Sequence, residues 1–569
     1  MRENSFVIQL MLKPYCQPRF LMKRQSHSSF QSHTARVLLL GTLGVLLCAA
    51  LPARCQILTA KVTGGELSGG VKDGIASFKG IPFAAPPVGE LRWRAPQPVK
   101  PWDGVRNANT YAPGPMQPAL VAIAMGGVAN LSEDCLYLNV WTPAKSANEK
   151  LPVMVWIYGG GFISGLTSVQ VTDGTRLAQK GVVLVSIAYR VGPFGFLAHP
   201  ELSRESGNGS GCYGIQDQVA GLRWVKDNIA QFGGDPSRVT IFGQSAGGIS
   251  VSLLATVPAA RGLFQRAICQ SGGSMGPVKR SDTLEMSVVS LPMAEAAGQN
   301  YLRKLGVDNI KAARALSADA IQTVESASEI QHAMGQMRSK KAVTGITFWP
   351  VADGETLPGD GSELYEAGKF HDTPVLMGWN SDEGAMFVHS KGSPEEFEKE
   401  VHTNFGPAAE PMIKAYPHST APEVFKSAKD IVRDMAFGWN TWTWAKLQTR
   451  KGKNKAFVYY FDQRTPSSPD GSSHAAELGC VFRNVNAWTG GPSPKNPQLS
   501  DLMSSYWVNF ATAGDPNGPG LPEWLAFNER DMQVMFFDKN PAARPMPHLE
   551  KLMAIDTYYA WRRQQQQER

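Results

Sequence analysis

Two long apolar runs, Pro152–Tyr158 (PVMVWIY) and Gly181–Tyr189 (GVVLVSIAY, broken only by Ser186), constrain this chain more than anything else in it. A strand without polar alternation is covered on both faces. Sheets covered on both faces are built from parallel strands with helices above and below. The surrounding sequence keeps that rhythm. Gln218–Phe232 places Val219, Leu222, Val225 and Ile229 on one helical face. Val239–Phe242 is a short strand, Ile249–Val257 reads as a helix, and Thr373–Met377 and Ala456–Phe461 are later strands. The alternation predicts an α/β fold with a large, mainly parallel central sheet flanked by helices. Residues 279–345, rich in Lys, Arg, Ala, Asp and Gln, read as a helical insertion on that sheet. There is no internal repeat and no long Pro/Ser/Gly linker, so residues 54–569 are expected to form one domain.

The charge is concentrated at the start. Of 56 basic residues seven lie in residues 1–55 (Arg2, Lys13, Arg19, Lys23, Arg24, Arg36, Arg54), against a single acid, Glu3. Without them the net charge falls from +7 to +1. A near-neutral body gives no electrostatic case for nucleic acid or an anionic membrane. The basic stretch precedes an apolar run, Val37–Ala53, that is short for a membrane span and ends in small residues. That pattern predicts a secretory signal over residues 1–53, with Met22 as an alternative start and cleavage after Ala50 or Ala53, hence export and no stable membrane span. Cys135, Cys212, Cys269 and Cys480 lie inside the body, an even number that export would allow to pair. They form no zinc-like cluster, so no metal is expected.

Gly243-Gln244-Ser245-Ala246-Gly247 matches GxSxG, but a chain one-tenth glycine matches it easily by chance, and Gly272-Gly273-Ser274-Met275-Gly276 is a second match. Context separates them. A serine held on a sharp strand-to-helix turn needs small neighbours, a strand before it and a helix after it. Ser245 follows Val-Thr-Ile-Phe and precedes an apolar helix, whereas Ser274 runs into Pro277, Lys279 and Arg280. A second glycine-rich turn, Tyr158-Gly159-Gly160-Gly161-Phe162, follows the first apolar strand. Its Gly160 and Gly161, with Ala246 after the serine, are the candidate N–H donors for an oxyanion.

A serine hydroxyl needs a base, and the base an orienting acid, each on a loop after a strand and in the order serine, acid, histidine. Five histidines follow residue 380. His402 sits in a charged helix, His548 among prolines, His389 beside the acid loop, and His418 behind no clear strand. His474 lies in the loop after Ala456–Phe461 and is the expected base. The loop after Thr373–Met377 offers adjacent Asp382 and Glu383, and position does not choose between them; Asp353, in an Asp-Gly pair, reads better as a turn.

With these residues assembled, the chain resembles the type-B carboxylesterase/cholinesterase-like family of α/β-hydrolases from about Gly65 to Trp561. The resemblance rests on Phe78-Lys79-Gly80-Ile81-Pro82-Phe83-Ala84, Leu91-Arg92-Trp93-Arg94-Ala95-Pro96, Ser132 to Trp141, Tyr189-Arg190-Val191-Gly192 and Asn228 to Pro236. It implies the α/β-hydrolase fold and a serine hydrolase that cleaves carboxylic esters through an acyl-enzyme. It further implies a Ser245–His474–Glu383 triad, oxyanion donors at Gly160, Gly161 and Ala246, no cofactor, and ion pairs Arg92–Glu133 and Arg190–Asp217. The partner it implies is a small-molecule ester. Two other readings are a non-catalytic adhesion module on the same scaffold and a lipase for longer acyl chains. The chain departs from the family in three places. Met116 stands where a cysteine usually pairs with the equivalent of Cys135, so Cys135 is expected to be free. Residues 117–134 contain no aromatic, and Gln244 replaces an acid, which makes choline esters unsuitable as preferred substrates. Trp439, Trp442 and Trp444 are candidates for an apolar gorge, although aromatics so spaced are more often core.

Overall fold

The apolar run Pro152–Tyr158 becomes a strand near the middle of an eleven-stranded sheet. In chain order the strands are β1 (Gly70–Lys72), β2 (Ile75–Pro82), β3 (Tyr137–Thr142), β4 (Leu151–Ile157), β5 (Val183–Ile187) and β6 (Gly234–Gln244). There follow β7 (Arg266–Gln270), β8 (Val375–Asn380), β9 (Ala456–Phe461), β10 (Gln533–Phe537) and β11 (Ala542–Pro545). In space they run β1-β2-β3-β5-β4-β6-β7-β8-β9-β10-β11. The stretch from β5 to β10 is parallel throughout, and antiparallel strands close both edges. The computed structural model describes residues 56–124, 126–127, 130–280, 287–324, 348–389, 392–489 and 491–567. The expected signal segment lies outside them.

Register does the positioning. Ile157, Gly243, Cys269, Met377 and Val458 stand in one row across β4, β6, β7, β8 and β9. All five strands therefore end within a few residues of one line, and their loops leave from the same edge. In open α/β sheets the crevice beyond the carboxyl ends of the strands is where ligands bind.

The faces of the sheet are covered as its composition requires. The helix Ala246–Leu254 is apolar except for Ser250 and Ser252, and every residue in it is buried. On one face Trp156 packs at 4.9 Å against both Phe242 and Phe482. Further along, Trp507, Trp524 and Phe537 form a second aromatic group. The predicted helix at Gln218–Phe232 is Tyr213–Asn228 with a 3₁₀ turn to Phe232. The helix after Ser245 begins at Ala246 rather than Ile249, because two glycines carry no periodic signal. Within the expected insertion, Leu291–Lys304 and Ile310–Ala315 are helical, and residues 281–286 and 325–347 lie outside the described residues. Among the described residues no helix is long and apolar enough to cross a membrane.

Both implied ion pairs form. Arg92 grips Glu133 with two bonds of 2.6 Å. Arg190 grips Asp217 with two of 2.8 Å, and the backbone N–H of Arg190 adds a third at 3.0 Å. Both members of the second pair are buried, so each needs the other. The cysteines do not pair: Cys135, Cys212, Cys269 and Cys480 are all free and buried. Pairing allowed by an even count thus gives way to burial on separate elements. Met116 and Cys135 line the same small cavity.

Candidate active site

Ser245 sits where β6 turns into the helix Ala246–Leu254, at φ 59° and ψ −127°. That conformation is strained for a residue with a side chain and persists only where the surroundings enforce it. Here the enforcement is close packing. A Cβ on Gly247 would lie 2.0 Å from the carbonyl oxygen of Ile157, and one on Gly243 would lie 2.5 Å from Gly247. The Ser245 N–H donates to the Gln270 carbonyl at 2.9 Å, tying the turn to β7.

Glu383 follows the end of β8, and His474 lies in the loop after β9. The Asn380 N–H donates to Glu383 Oε1 at 2.7 Å, and Glu383 Oε2 lies 2.5 Å from His474 Nδ1. Glu383 is fully buried and His474 only 4% exposed. The adjacent acid points elsewhere: Asp382 pairs with Lys429 at 3.0 Å. Geometry thus separates two residues that position alone left equal. A carboxylate on Nδ1 assigns the ring proton to that nitrogen and leaves Nε2 an acceptor. At 3.1 Å from Nε2 lies the side-chain nitrogen of Gln244, immediately before Ser245. Ser245 Oγ itself has no hydrogen-bond partner among the described residues.

The glycine turn after β4 is locked by two tyrosines. The Tyr158 hydroxyl donates to the Tyr189 carbonyl at 2.6 Å, and the Tyr189 hydroxyl to the Tyr158 carbonyl at 2.9 Å, with the rings stacked. Gly160, Gly161 and Phe162 all have positive φ. At Gly160 only glycine fits, since a Cβ would meet the Ser164 carbonyl oxygen at 2.3 Å. The backbone N–H groups of Gly160, Gly161 and Ala246 donate to nothing among the described residues, which leaves three free donors beside the serine turn. The far end of the loop is clamped by the Gln117 amide, which donates to the Gly165 carbonyl (2.9 Å) and accepts from its N–H (3.0 Å).

The sequence reading missed two sets of residues. The first is aromatic. Phe437 stacks on the His474 ring at 4.8 Å and Phe387 meets it edge-on at 5.5 Å. Phe437 belongs to a π-helical turn, Asp434–Gly438, a departure from α-helical geometry that often marks functional sites. No periodicity in the sequence signals such a turn. The tryptophans that drew attention, Trp439, Trp442 and Trp444, are instead core; Trp444 donates to the Tyr365 hydroxyl. The second set is a buried carboxylate, Glu477. It accepts from Gln270 Nε2 at 3.0 Å and Asn380 Nδ2 at 2.7 Å, with no cation in contact. Burial, and then the charge of Glu383, push its carboxyl above the usual range.

The alternatives lie elsewhere. Ser274 follows β7 without a helix after it and is buried. Asp353 caps its own turn, accepting from the N–H groups of Glu355 and Leu357. His418 meets Glu398, His402 lies 3.8 Å from Glu410, and His548 meets the Tyr460 hydroxyl.

The sequence model of the Carboxylesterase family matches residues 52–554. This chain belongs to that family. The carboxylesterase is 35% identical over 502 residues to the fumonisin B1 esterase of Sphingopyxis macrogoltabida, covering 86% of this chain and 88% of the other. It is 34% identical over 512 residues to the para-nitrobenzyl esterase of Bacillus subtilis (strain 168), covering 87% and 97%. Among solved structures it superposes on a PNB esterase with a TM-score of 0.74 at 32% identity, covering 88% of this chain and all of that one. A carboxylesterase of Geobacillus stearothermophilus gives 0.73 at 32%, covering 87% and 99%. The carboxylesterase is thus an α/β-hydrolase that hydrolyses carboxylic esters.

Proposed function

We propose that Ser245 is the nucleophile of this esterase, His474 its general base and acid, and Glu383 the carboxylate that orients His474. Gly160, Gly161 and Ala246 donate their N–H groups to the oxyanion. The observation that carries the reading is the buried 2.5 Å contact between Glu383 and His474, on loops leaving neighbouring strands beside the Ser245 turn. Ser245 Oγ attacks the ester carbonyl and its proton passes to His474 Nε2. The oxyanion accepts from the three free N–H groups, each such donor contributing about a hundred- to a thousand-fold in rate. Collapse expels the alcohol, which takes the proton from His474. Water, deprotonated by the same imidazole, then releases the acid from Ser245. The loss of an acid at Gln244 and the absence of aromatics in residues 117–134 favour uncharged alcohol groups over choline.

The test sets two serines against each other. Ser245→Ala abolishes nearly all p-nitrophenyl ester turnover and phosphonate labelling while the circular dichroism stays native. Ser274→Ala keeps most of both. Equal losses would assign the wrong turn. The basic stretch and apolar run of residues 1–53 support export by a cleaved signal, which the N-terminal mass of protein recovered from the culture medium or periplasm tests.

A further inference from the structure

Phe162 is the third residue in a row with a left-handed backbone, after Gly160 and Gly161, at φ 61°. The two glycines adopt such a φ freely. A residue with a Cβ leaves it for the right-handed or extended region unless its surroundings forbid the move. The turn closes on itself, with the Ile163 and Ser164 N–H groups donating to the Gly160 carbonyl at 3.1 and 3.0 Å. The Phe162 carbonyl accepts from the Gly192 N–H at 2.7 Å. Its side chain is fully buried and meets two rings edge-to-face, Phe196 at 5.1 Å and Trp349 at 4.9 Å. Trp349 comes just after the insertion of residues 279–345. Beside it, Phe348 meets Tyr301 of the helix Leu291–Lys304 at 4.9 Å, and the Pro350 carbonyl accepts from the Val289 N–H at 3.0 Å. Trp349 is only 5% exposed, yet its indole N–H has no partner among the described residues. A buried indole usually satisfies that group.

We propose that Trp349 is a positioning residue for the oxyanion donors and acts through Phe162, a role that rests on the assignment of Gly160 and Gly161 above. With Trp349 and Phe196 against its ring, Phe162 cannot leave the left-handed region without opening a void in a close-packed core. The peptide planes just before it are thereby fixed before substrate arrives. The Gly160 and Gly161 N–H groups then need no reorganisation as charge develops on the carbonyl oxygen. A smaller side chain at position 349 gives the Phe162 ring room to shift and its backbone room to relax, which misaims the donors. The loss falls on the transition state and spares ground-state binding, because the ester oxygen carries little charge until Ser245 attacks. The flat ring does the holding and the indole N–H takes no part, so Trp349→Phe preserves the role and Trp349→Leu removes it.

The test compares wild type, Trp349→Phe, Trp349→Leu and Phe196→Leu. It reads kcat and KM on p-nitrophenyl acetate, per serine titrated with a phosphonate, and the Ki of a trifluoromethyl ketone, whose serine adduct carries the oxyanion. In Trp349→Leu kcat falls about ten- to a hundred-fold, as for a displaced catalytic donor, while KM changes little. Ki rises by the same factor as kcat/KM falls. A merely structural loss does not move Ki, which is independent of how much of the enzyme is folded. Phe196→Leu shows the same split from the other ring and carries the test if Trp349→Leu does not fold. Trp349→Phe stays near wild type. Wild-type kcat and Ki in Trp349→Leu overturn the role, as does a loss of stability without weaker inhibitor binding, or a Trp349→Phe enzyme as impaired as Trp349→Leu. Failure of the oxyanion assignment is read separately, from a wild-type enzyme that binds the trifluoromethyl ketone no more tightly than the matching methyl ketone.

Discussion

At the scale of single residues, adjacent acids with opposite duties offer the sharpest discrimination. Glu383 faces the imidazole and Asp382 faces Lys429. Glu383→Gln would leave His474 without a partner for its Nδ1 proton and favour the wrong tautomer. Loss of that partner costs about 10⁴ in kcat in triad enzymes. Asp382→Asn should lower the melting temperature and keep most of the turnover; a larger loss of kcat from Asp382→Asn than from Glu383→Gln would reverse the assignment. A second residue-scale prediction concerns acid stability. His371 is buried, and its ring nitrogens bond to nothing among the described residues. Burial, and then Arg261, lower it to about 4. Above pH 6.5 neither the folded nor the unfolded chain is charged there, so nothing is lost. Below it the unfolded chain takes up a proton that the folded one refuses, and stability falls until about pH 4. One such group weakens folding by at most about 2 kcal/mol at pH 5. His371→Phe, which keeps an aromatic beside Phe264, should narrow the gap between melting temperatures at pH 8 and pH 5. An unchanged gap would mean the ring is protonated in the folded protein.

At the scale of elements, the helix Ala421–Arg433 and the π-turn after it hold both the acid loop and the aromatic wall. Arg433 donates to Asp434 (2.7 and 2.9 Å), to Asp430 (2.8 Å) and to the carbonyl of Ser381 in the acid loop (3.2 Å). Removing one member of a buried charge cluster costs about 3–5 kcal/mol, because its partners stay charged. Arg433→Met should therefore lower the melting temperature by roughly 3–5 °C in a domain of this size, and adding Asp434→Asn should restore part of it. A double variant less stable than the single would show that the charges are not coupled. None of this was legible in sequence. Which face of the helix end at Arg433 and Asp434 is buried against a distant loop is decided by tertiary packing. The strands were legible because continuous apolar runs of their length have few other uses, and Ala456–Phe461 matched residue for residue. The candidates Ser245 and His474 were legible because each lies in the first loop or turn after a strand. Glu383 required the family resemblance, since its neighbour satisfied every local criterion. Phe437 was invisible: an aromatic near three tryptophans looks like core unless one extra residue in the helical turn rotates it toward the imidazole.

At the scale of the whole molecule, a body of more than 500 residues buries enough apolar surface to fold without covalent staples, and the four described cysteines act as small core residues. Burial raises the thiols of Cys135 and Cys212 well above their ordinary range and Cys480 to about 12, so none is reactive at neutral pH while folded. Iodoacetamide should therefore label Cys135, Cys212, Cys269 and Cys480 only as fast as the domain unfolds, with all four peptides appearing together in denaturant. Cys135 carries the further possibility, since Met116 lines the same cavity. Met116→Cys would place two thiols at the ends of a loop of about twenty residues, and closing such a loop removes chain entropy from the unfolded state worth about 3 kcal/mol. Under oxidising conditions the variant should gain a cross-link between the new thiol and Cys135, visible as a disulfide-linked peptide by mass spectrometry. Its melting temperature should rise, and reductant should reverse the rise. A cross-link that forms without any gain would mean the cavity has closed around Met116, so that the bridge strains a core already packed without it.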